Sequence, residues 1–82
     1  MPTRSQRKFV SKGFSSADAK TLSYVFDVVY ANYPNDSEIE SAIIEAISAM
    51  AAAGARSPEK LALYAGYRAD VVRSSMQHRF RA

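Results

Sequence analysis

Residues 15–33 read SSADAKTLSYVFDVVYANY and predict a long amphipathic helix. Ser15 followed by Asp18 is a hydroxyl N-cap with a carboxylate three residues later, the pattern of a capping box. Large apolar residues then recur every three or four positions, as on one face of an α-helix: Leu22, Val25, Phe26, Val29, Tyr30 and Tyr33. Their β-branched and aromatic side chains also suit a strand, but the period favours a helix, which Pro34 ends.

A second helix is predicted after a short connection. Ser37 and Glu40 form another capping-box pair, and the alanine run before Gly54 favours a helix that stops at this glycine. The residues expected to face the core are Ile39, Ile43, Ala46, Ile47 and Met50. Asp36 and Glu40 are also candidate metal ligands, but helix capping explains both carboxylates more simply, and we expect no metal site.

Two short helices are expected to complete the fold. Ser57 as the N-cap and Pro58 at the first helical position begin a third helix, which ends at Gly66. A tight connection leads to a fourth helix from about Asp70. The residues of this last helix expected to face inward are Val71, Val72, Met76 and Phe80. The sequence therefore predicts an all-α fold, a small four-helix domain over residues 15–82.

The segment from Leu61 to Met76 resembles a helix-turn-helix. That family has a small residue in the first helix, a glycine at the turn four residues later and an apolar residue six beyond the glycine, which are here Ala62, Gly66 and Val72. A small residue lets two helices cross closely, and a glycine takes the left-handed conformation that a turn requires. The sequence departs from the family pattern at Ser75, where an apolar residue is usual.

Charge is strongly segregated along the chain, whose formal net charge is +3. Residues 1–14 carry four cations and no acid, residues 15–54 carry one lysine against six acids, and residues 55–82 carry six cations against two acids. Such segregation gives a polarised surface that steers an anionic partner electrostatically. Because residues 1–14 also show no helical or strand period, we expect them to form a flexible basic arm.

The helix-turn-helix resemblance implies that the chain binds DNA, as a small regulator of transcription or an accessory factor of a plasmid, a phage or the nucleoid. Arginine and glutamine on the outer face of the last helix suit base edges in the major groove, while neighbouring cations suit phosphates. The expected DNA-binding residues are Arg68, Arg73, Ser74 and Gln77 on the last helix, Arg56 and Lys60 beside it, and Arg4, Arg7 and Lys8 in the arm. We expect a cytoplasmic, nucleoid-associated location for such a protein.

Composition excludes several other function classes. The chain has no cysteine, which rules out disulfides and thiolate chemistry, and its single histidine, His78, rules out a multi-histidine metal site. Neither a glycine-rich phosphate loop nor a serine beside a base is present, so we expect no enzyme, no cofactor and no metal. No apolar run approaches the length that spans a bilayer, so we expect no membrane partner.

The first predicted helix carries a second apolar stripe, formed by Tyr24, Val28 and Ala31. A helix that is apolar on most sides is buried on most sides, so this stripe needs a cover. A second copy of the chain would give a homodimer with Tyr24 and Val28 at the interface, where tyrosine is common. Alternatively, the apolar residues of the arm fold back over the stripe: Phe9, Val10 and Phe14. The stripe also motivates a different function, a small helical adaptor or inhibitor that binds a partner protein.

Overall fold

The structure, a computed structural model, describes the backbone of residues 3–33 and 35–80 and the side chains of these residues up to Ser75. Within this part of the chain every regular element is an α-helix, and no strand is present. The four helices are α1 (Arg4–Ser11), α2 (Ser16–Tyr30), α3 (Ser37–Ala52) and α4 (Pro58–Phe80). The prediction of a small all-α, four-helix fold is confirmed, although the chain divides into these helices differently from the expectation.

Helix α2 forms where the apolar period predicts it. The Ser15 hydroxyl accepts a hydrogen bond from the Asp18 amide at 3.2 Å, so the expected N-cap is present. The helix ends at Tyr30, and the Asn32 and Tyr33 amides donate to carbonyls three residues back, as in a turn. This end comes one turn earlier than the apolar period suggests, because a residue that precedes proline avoids the α region. The buried face of α2 includes Leu22, Val25, Phe26 and Val29.

Helix α3 is capped by Asp36 rather than by Ser37. The Asp36 carboxylate accepts hydrogen bonds from the amides of Glu38 at 2.8 Å and Ile39 at 3.3 Å, which satisfies two of the free donors at the helix start. At the other end the chain leaves the helix through Gly54, whose φ of +103° is the left-handed conformation that favours glycine. The predicted stop at this glycine is therefore confirmed.

The predicted flexible arm is wrong for Arg4–Ser11, which form helix α1. The Thr3 hydroxyl accepts from the Gln6 amide at 3.2 Å, and the Gln6 side-chain oxygen accepts from the Thr3 amide at 3.1 Å, so a complete capping box starts the helix. Phe9 from this helix is fully buried in the core. A phenylalanine side chain removed from water stabilises its element by about 1.5–3 kcal/mol, which explains why α1 docks on the domain.

Polar contacts also attach α1 to the rest of the domain. The Ser5 hydroxyl donates to the Asp27 carboxylate of α2 at 3.1 Å. The Lys8 ammonium donates to the Glu40 carboxylate of α3 at 2.7 Å. The capping box expected between Ser37 and Glu40 does not form, because Asp36 is the N-cap of α3 and Glu40 pairs with Lys8.

Helix α4 is continuous where the sequence predicts two short helices joined by a turn. It runs through Gly66, whose φ is not positive, so the chain makes no helix-turn-helix corner at this residue. The buried residues on the two sides of the glycine form one helical row: Leu61, Ala65 and Ala69. A glycine inside a helix costs roughly 0.5–1 kcal/mol, and burial of this continuous row outweighs that cost. Asp70, expected to cap the last helix, lies within α4 instead.

The helices enclose one core, in which α2 packs against each of the other three and α3 packs along α4. Its largest fully buried side chains are Phe9, Leu22, Val25, Ile39, Ile43, Ile47 and Leu61. Helices α2 and α4 lie side by side and run in the same direction, since Tyr24 shares a groove with Pro58 and Tyr33 contacts Gly66. The outer side of this helix pair is therefore a single surface.

Candidate functional site

The outer side of the α2–α4 pair presents an open apolar groove. We call this surface the α2–α4 face. Its groove is lined by Tyr24 and Val28 of α2, by Asn32 in the turn after α2, and by Pro58, Glu59, Ala62, Leu63 and Gly66 of α4. We include in the face the exposed Tyr67, which is four residues beyond Leu63 on α4. Two adjoining depressions share Val28, Glu59 and Ala62, so the groove is continuous along the helix pair. Tyr67 extends its α4 side by one helical turn beyond Leu63.

Large apolar side chains on this face are exposed to solvent. Leu63 is 78% exposed, Tyr24 and Tyr67 are each 65% exposed, and Val28 is 46% exposed. A large aromatic side chain has a surface of about 150–250 Å². At 65% exposure, Tyr24 and Tyr67 together therefore present about 200–330 Å² to solvent. With Leu63 and Val28 added, the patch reaches the range of about 300–600 Å² that is typical of the largest, often functional, patch on a monomer.

Tyr33 fixes the far end of the groove. Its hydroxyl donates to the Asp70 carboxylate at 2.7 Å and also lies 3.0 Å from the Gly66 carbonyl oxygen, so it joins the end of the α2 region to the middle of α4. The Arg73 guanidinium lies over the Tyr33 ring at 5.9 Å from its centre. Desolvation by burial, followed by the hydrogen bond to Asp70 and the charge of Asp70, raises the pKa of Tyr33 to about 12, against an opposing effect of Arg73. Tyr33 therefore remains a hydrogen-bond donor at neutral pH.

The predicted DNA-contacting residues of the arm lie on α1, close to acids. Lys8 pairs with Glu40 at 2.7 Å, and Arg4 approaches the same carboxylate at 3.6 Å. Arg7 is exposed. Two of these three cations thus have part of their charge compensated within the chain.

Arg56 has a structural role in the connection between α3 and α4. Its guanidinium donates to both Asp18 carboxylate oxygens, at 3.1 and 3.3 Å, and to the carbonyls of Ala51 at 2.6 Å and Ala55 at 2.8 Å. A cation at a helix C-terminus satisfies carbonyl groups that the helix leaves free. These four acceptors hold Arg56 against the domain rather than towards a phosphate.

The predicted residues of α4 do not share one surface. Arg68 lines a groove between α3 and α4 together with Glu45, whereas Arg73 lies on the α2 side, over Tyr33. Ser74 is exposed, and Lys60 is exposed in the first turn of the helix. Gln77, Met76 and Phe80 belong to the residues whose side chains the structure does not describe. The expected DNA-binding set is therefore distributed over α1, a loop and at least two sides of α4.

Sequence reasoning missed three important residues of this surface. Leu63 and Tyr67 are four residues apart on α4, opposite the buried row, but the turn expected at Gly66 separated them. Tyr33 was assigned to the core stripe of α2, and nothing in the local sequence signals its bonds to α4. Tyr24 and Val28, by contrast, were singled out from the second apolar stripe, and their role at an interface remains a prediction.

Other kinds of site find little support in the described residues. No three histidine, aspartate or glutamate side chains among them are grouped as metal ligands. None of the helices in the same residues is long and apolar enough to cross a membrane.

In comparisons with known proteins, no family model, no curated protein and no solved structure matches the chain.

Proposed function

We propose that this protein is a helical interaction module that binds another protein chain through the α2–α4 face. One observation carries the proposal: three large apolar side chains, Tyr24, Val28 and Leu63, are exposed along one continuous groove, and Tyr67 is exposed one helical turn beyond it on α4. Removal of apolar surface from water contributes about 25 cal/mol per Å², so a partner that covers this groove gains a large favourable term. Tyrosine is also enriched among the residues that dominate binding energy at interfaces.

The groove fits a helix better than an extended peptide. It is bordered by two helices, and the described residues contain no strand whose edge an extended segment would join. Side chains of a helix at spacings of three and four residues would enter the space between Tyr24 and Leu63. The expected class of partner is therefore a protein that presents an apolar helical surface.

DNA binding remains the competing proposal, supported by the basic segments at both ends of the sequence. The pairing of Lys8 and Arg56 with carboxylates counts against it, because phosphate contacts would have to break or share these ion pairs. The continuous α4 also removes the corner from which the recognition helix was inferred. Binding of a generic duplex that weakens steeply with added salt would favour this alternative.

The test of the proposed function is a capture assay with three forms of the immobilised chain. These are the wild type, Val28→Asp and the matched control Val10→Asp, which alters a valine of nearly equal exposure (47% against 46%) on α1. After nuclease treatment, we expect the wild type and the control to retain the same protein chains, including soluble copies of this protein, and Val28→Asp to lose them. Equal retention by all three forms would overturn the proposal, and loss of all capture on nuclease treatment would favour DNA binding.

A further inference from the structure

We infer that the chain that covers the α2–α4 face is a second copy of this protein, so that the functional unit is a twofold homodimer. This inference rests on the proposed function and names the occupant of the same face. It follows from three features of the described residues: the size of the apolar patch, the charges around it and the position of the N-terminal apolar residues.

Within the described part of the chain, the arm residues do not cover the second stripe of α2. Phe9, one of the arm residues that would cover the second stripe of α2 in the alternative to a dimer, is fully buried in the core. Phe14 packs against Phe9 edge-to-face at 6.4 Å and is partly buried with the core cluster, while Val10 is exposed. Tyr24 meanwhile remains 65% exposed. The described residues therefore leave the stripe open to another chain.

The patch is large enough for a dimer of moderate affinity. Homodimer interfaces are about 65% apolar, so an apolar patch of about 300–600 Å² corresponds to roughly 460–920 Å² of total interface on each copy. A standard specific interface buries about 800 Å² on each partner, which this range includes. Against the 5460 Å² that the chain exposes in total, such an interface would cover about 15% of the surface.

The charges around the groove are self-complementary. Lys20 lies one helical turn before Tyr24 on α2, and Glu59 and Lys60 lie in the first turn of α4. All three side chains are exposed, and none forms an ion pair within the described part of the chain. In a twofold dimer each copy presents the same surface to the other, so Glu59 of one copy can face Lys20 or Lys60 of the other. A strongly charged partner would leave one sign uncompensated beside the apolar groove.

Other exposed apolar side chains of the described residues offer no comparable surface. Val10 lies on α1, and Val71 lines the α3–α4 groove beside Arg68 and Glu45. Tyr64 is two helical turns before Val71 on the same side of α4. Arg68 and Glu45 therefore interrupt the apolar surface near Val71. Among the described residues that line the α2–α4 groove, by contrast, Glu59 is the one with a charged side chain.

The experiment is sedimentation equilibrium of the full chain from about 1 to 500 μM, a range that brackets the micromolar dissociation constants of modest interfaces. We expect wild type and Val10→Asp to approach twice the 9.0 kDa of one chain. Val28→Asp is expected to remain monomeric over most of the range, with a dissociation constant at least 100-fold higher and an unchanged far-ultraviolet circular dichroism spectrum. If Val28→Asp loses its helical spectrum, Leu63→Asp at the more exposed position replaces it.

The possible outcomes distinguish the homodimer from the broader proposal of a protein-binding module. A wild-type chain that stays at 9.0 kDa throughout overturns the dimer. A dimer that the face substitutions leave intact also overturns it, because the copies then meet elsewhere. If the wild type is monomeric and Val28→Asp still abolishes nuclease-resistant capture, the interaction module stands with a different protein as its occupant. If capture is also insensitive to Val28→Asp, the proposed function fails as well.

Discussion

The Tyr33 hydroxyl donates a 2.7 Å hydrogen bond to the carboxylate of Asp70, which lies 37 residues further along the chain. This bond joins the turn after α2 to the middle of α4. It links, at one end, the two helices that form the α2–α4 face. The geometry of the candidate binding surface thus depends on a polar contact at its end as well as on the core beneath it.

Removal of this bond should lower the stability of the domain. We expect Tyr33→Phe to reduce the free energy of unfolding by about 1–2 kcal/mol, since a hydrogen bond to a charged group contributes slightly more than a neutral one. Urea unfolding followed by circular dichroism measures the effect. Tyr24→Phe is the control, because the Tyr24 hydroxyl has no hydrogen-bond partner within the described residues. A loss of equal size in both variants would contradict the role given to Tyr33.

The same residue predicts a pH dependence at high pH. The pKa of Tyr33 is raised from 10.0 to about 12 in the folded chain. A raised folded-state pKa contributes stability that is complete below pH 10 and is lost as the pH rises towards 12, because the unfolded chain releases its proton first. The difference in stability between wild type and Tyr33→Phe should therefore shrink between pH 10 and 12. A constant difference over this interval would count against the raised pKa.

Gly66 distinguishes a continuous helix from a turn. In the continuous α4, Gly66→Ala should raise the free energy of unfolding by about 0.5–1 kcal/mol, because alanine is the better helix former. The added Cβ would meet no atom within 4 Å. At a helix-turn-helix corner with positive φ, the same substitution would instead destabilise the chain. Thermal unfolding at one protein concentration decides the sign, and Gly54→Ala, at a φ of +103°, is the destabilising control.

Phe9 tests whether the N-terminal segment belongs to the domain. Phe9→Ala should cost about 3–5 kcal/mol of stability, the usual range for a buried phenylalanine. The neighbouring Val10→Ala removes an exposed side chain and should change the stability by less than about 0.5 kcal/mol. Denaturant midpoints of the two variants provide the comparison. Equal denaturant midpoints for the two variants would indicate that the N-terminal segment is a flexible arm and that α1 does not dock on the core.

The sequence predicted those parts of the fold that have strong local signals. Helix α2 has both an N-cap at Ser15 and a long apolar period, and the chain leaves α3 through Gly54 in the left-handed conformation that this residue type favours. The short helix α1 was missed because its eight residues place only one large apolar side chain, Phe9, in the core. Thr3 and Gln6 nevertheless have capping-box spacing, a signal that would have located its start.

The remaining error shows the limit of local reasoning at a glycine. Gly66 is compatible with a helix interior and with a turn, and the choice depends on the packing of α4 against α2 and α3. The choice between a turn and a helix interior at Gly66 also determined which residues were predicted to contact a partner. A turn at Gly66 directs Arg73 and Gln77 outward as base-reading residues, whereas a continuous helix places Leu63 in the groove beside α2 and Tyr67 one helical turn beyond it.

The measurement that tests the central claim most directly is a dilution series of amide chemical shifts, recorded from about 1 mM to 10 μM to bracket micromolar self-association. If a second copy covers the α2–α4 face, the concentration-dependent shifts will be confined to residues 24–32, in α2 and the turn after it, and to residues 58–67 of α4. The amides of α1 and of the exposed side of α3 will be unchanged. Shifts that are absent over the whole range, or that map to α1 and α3, would contradict the account.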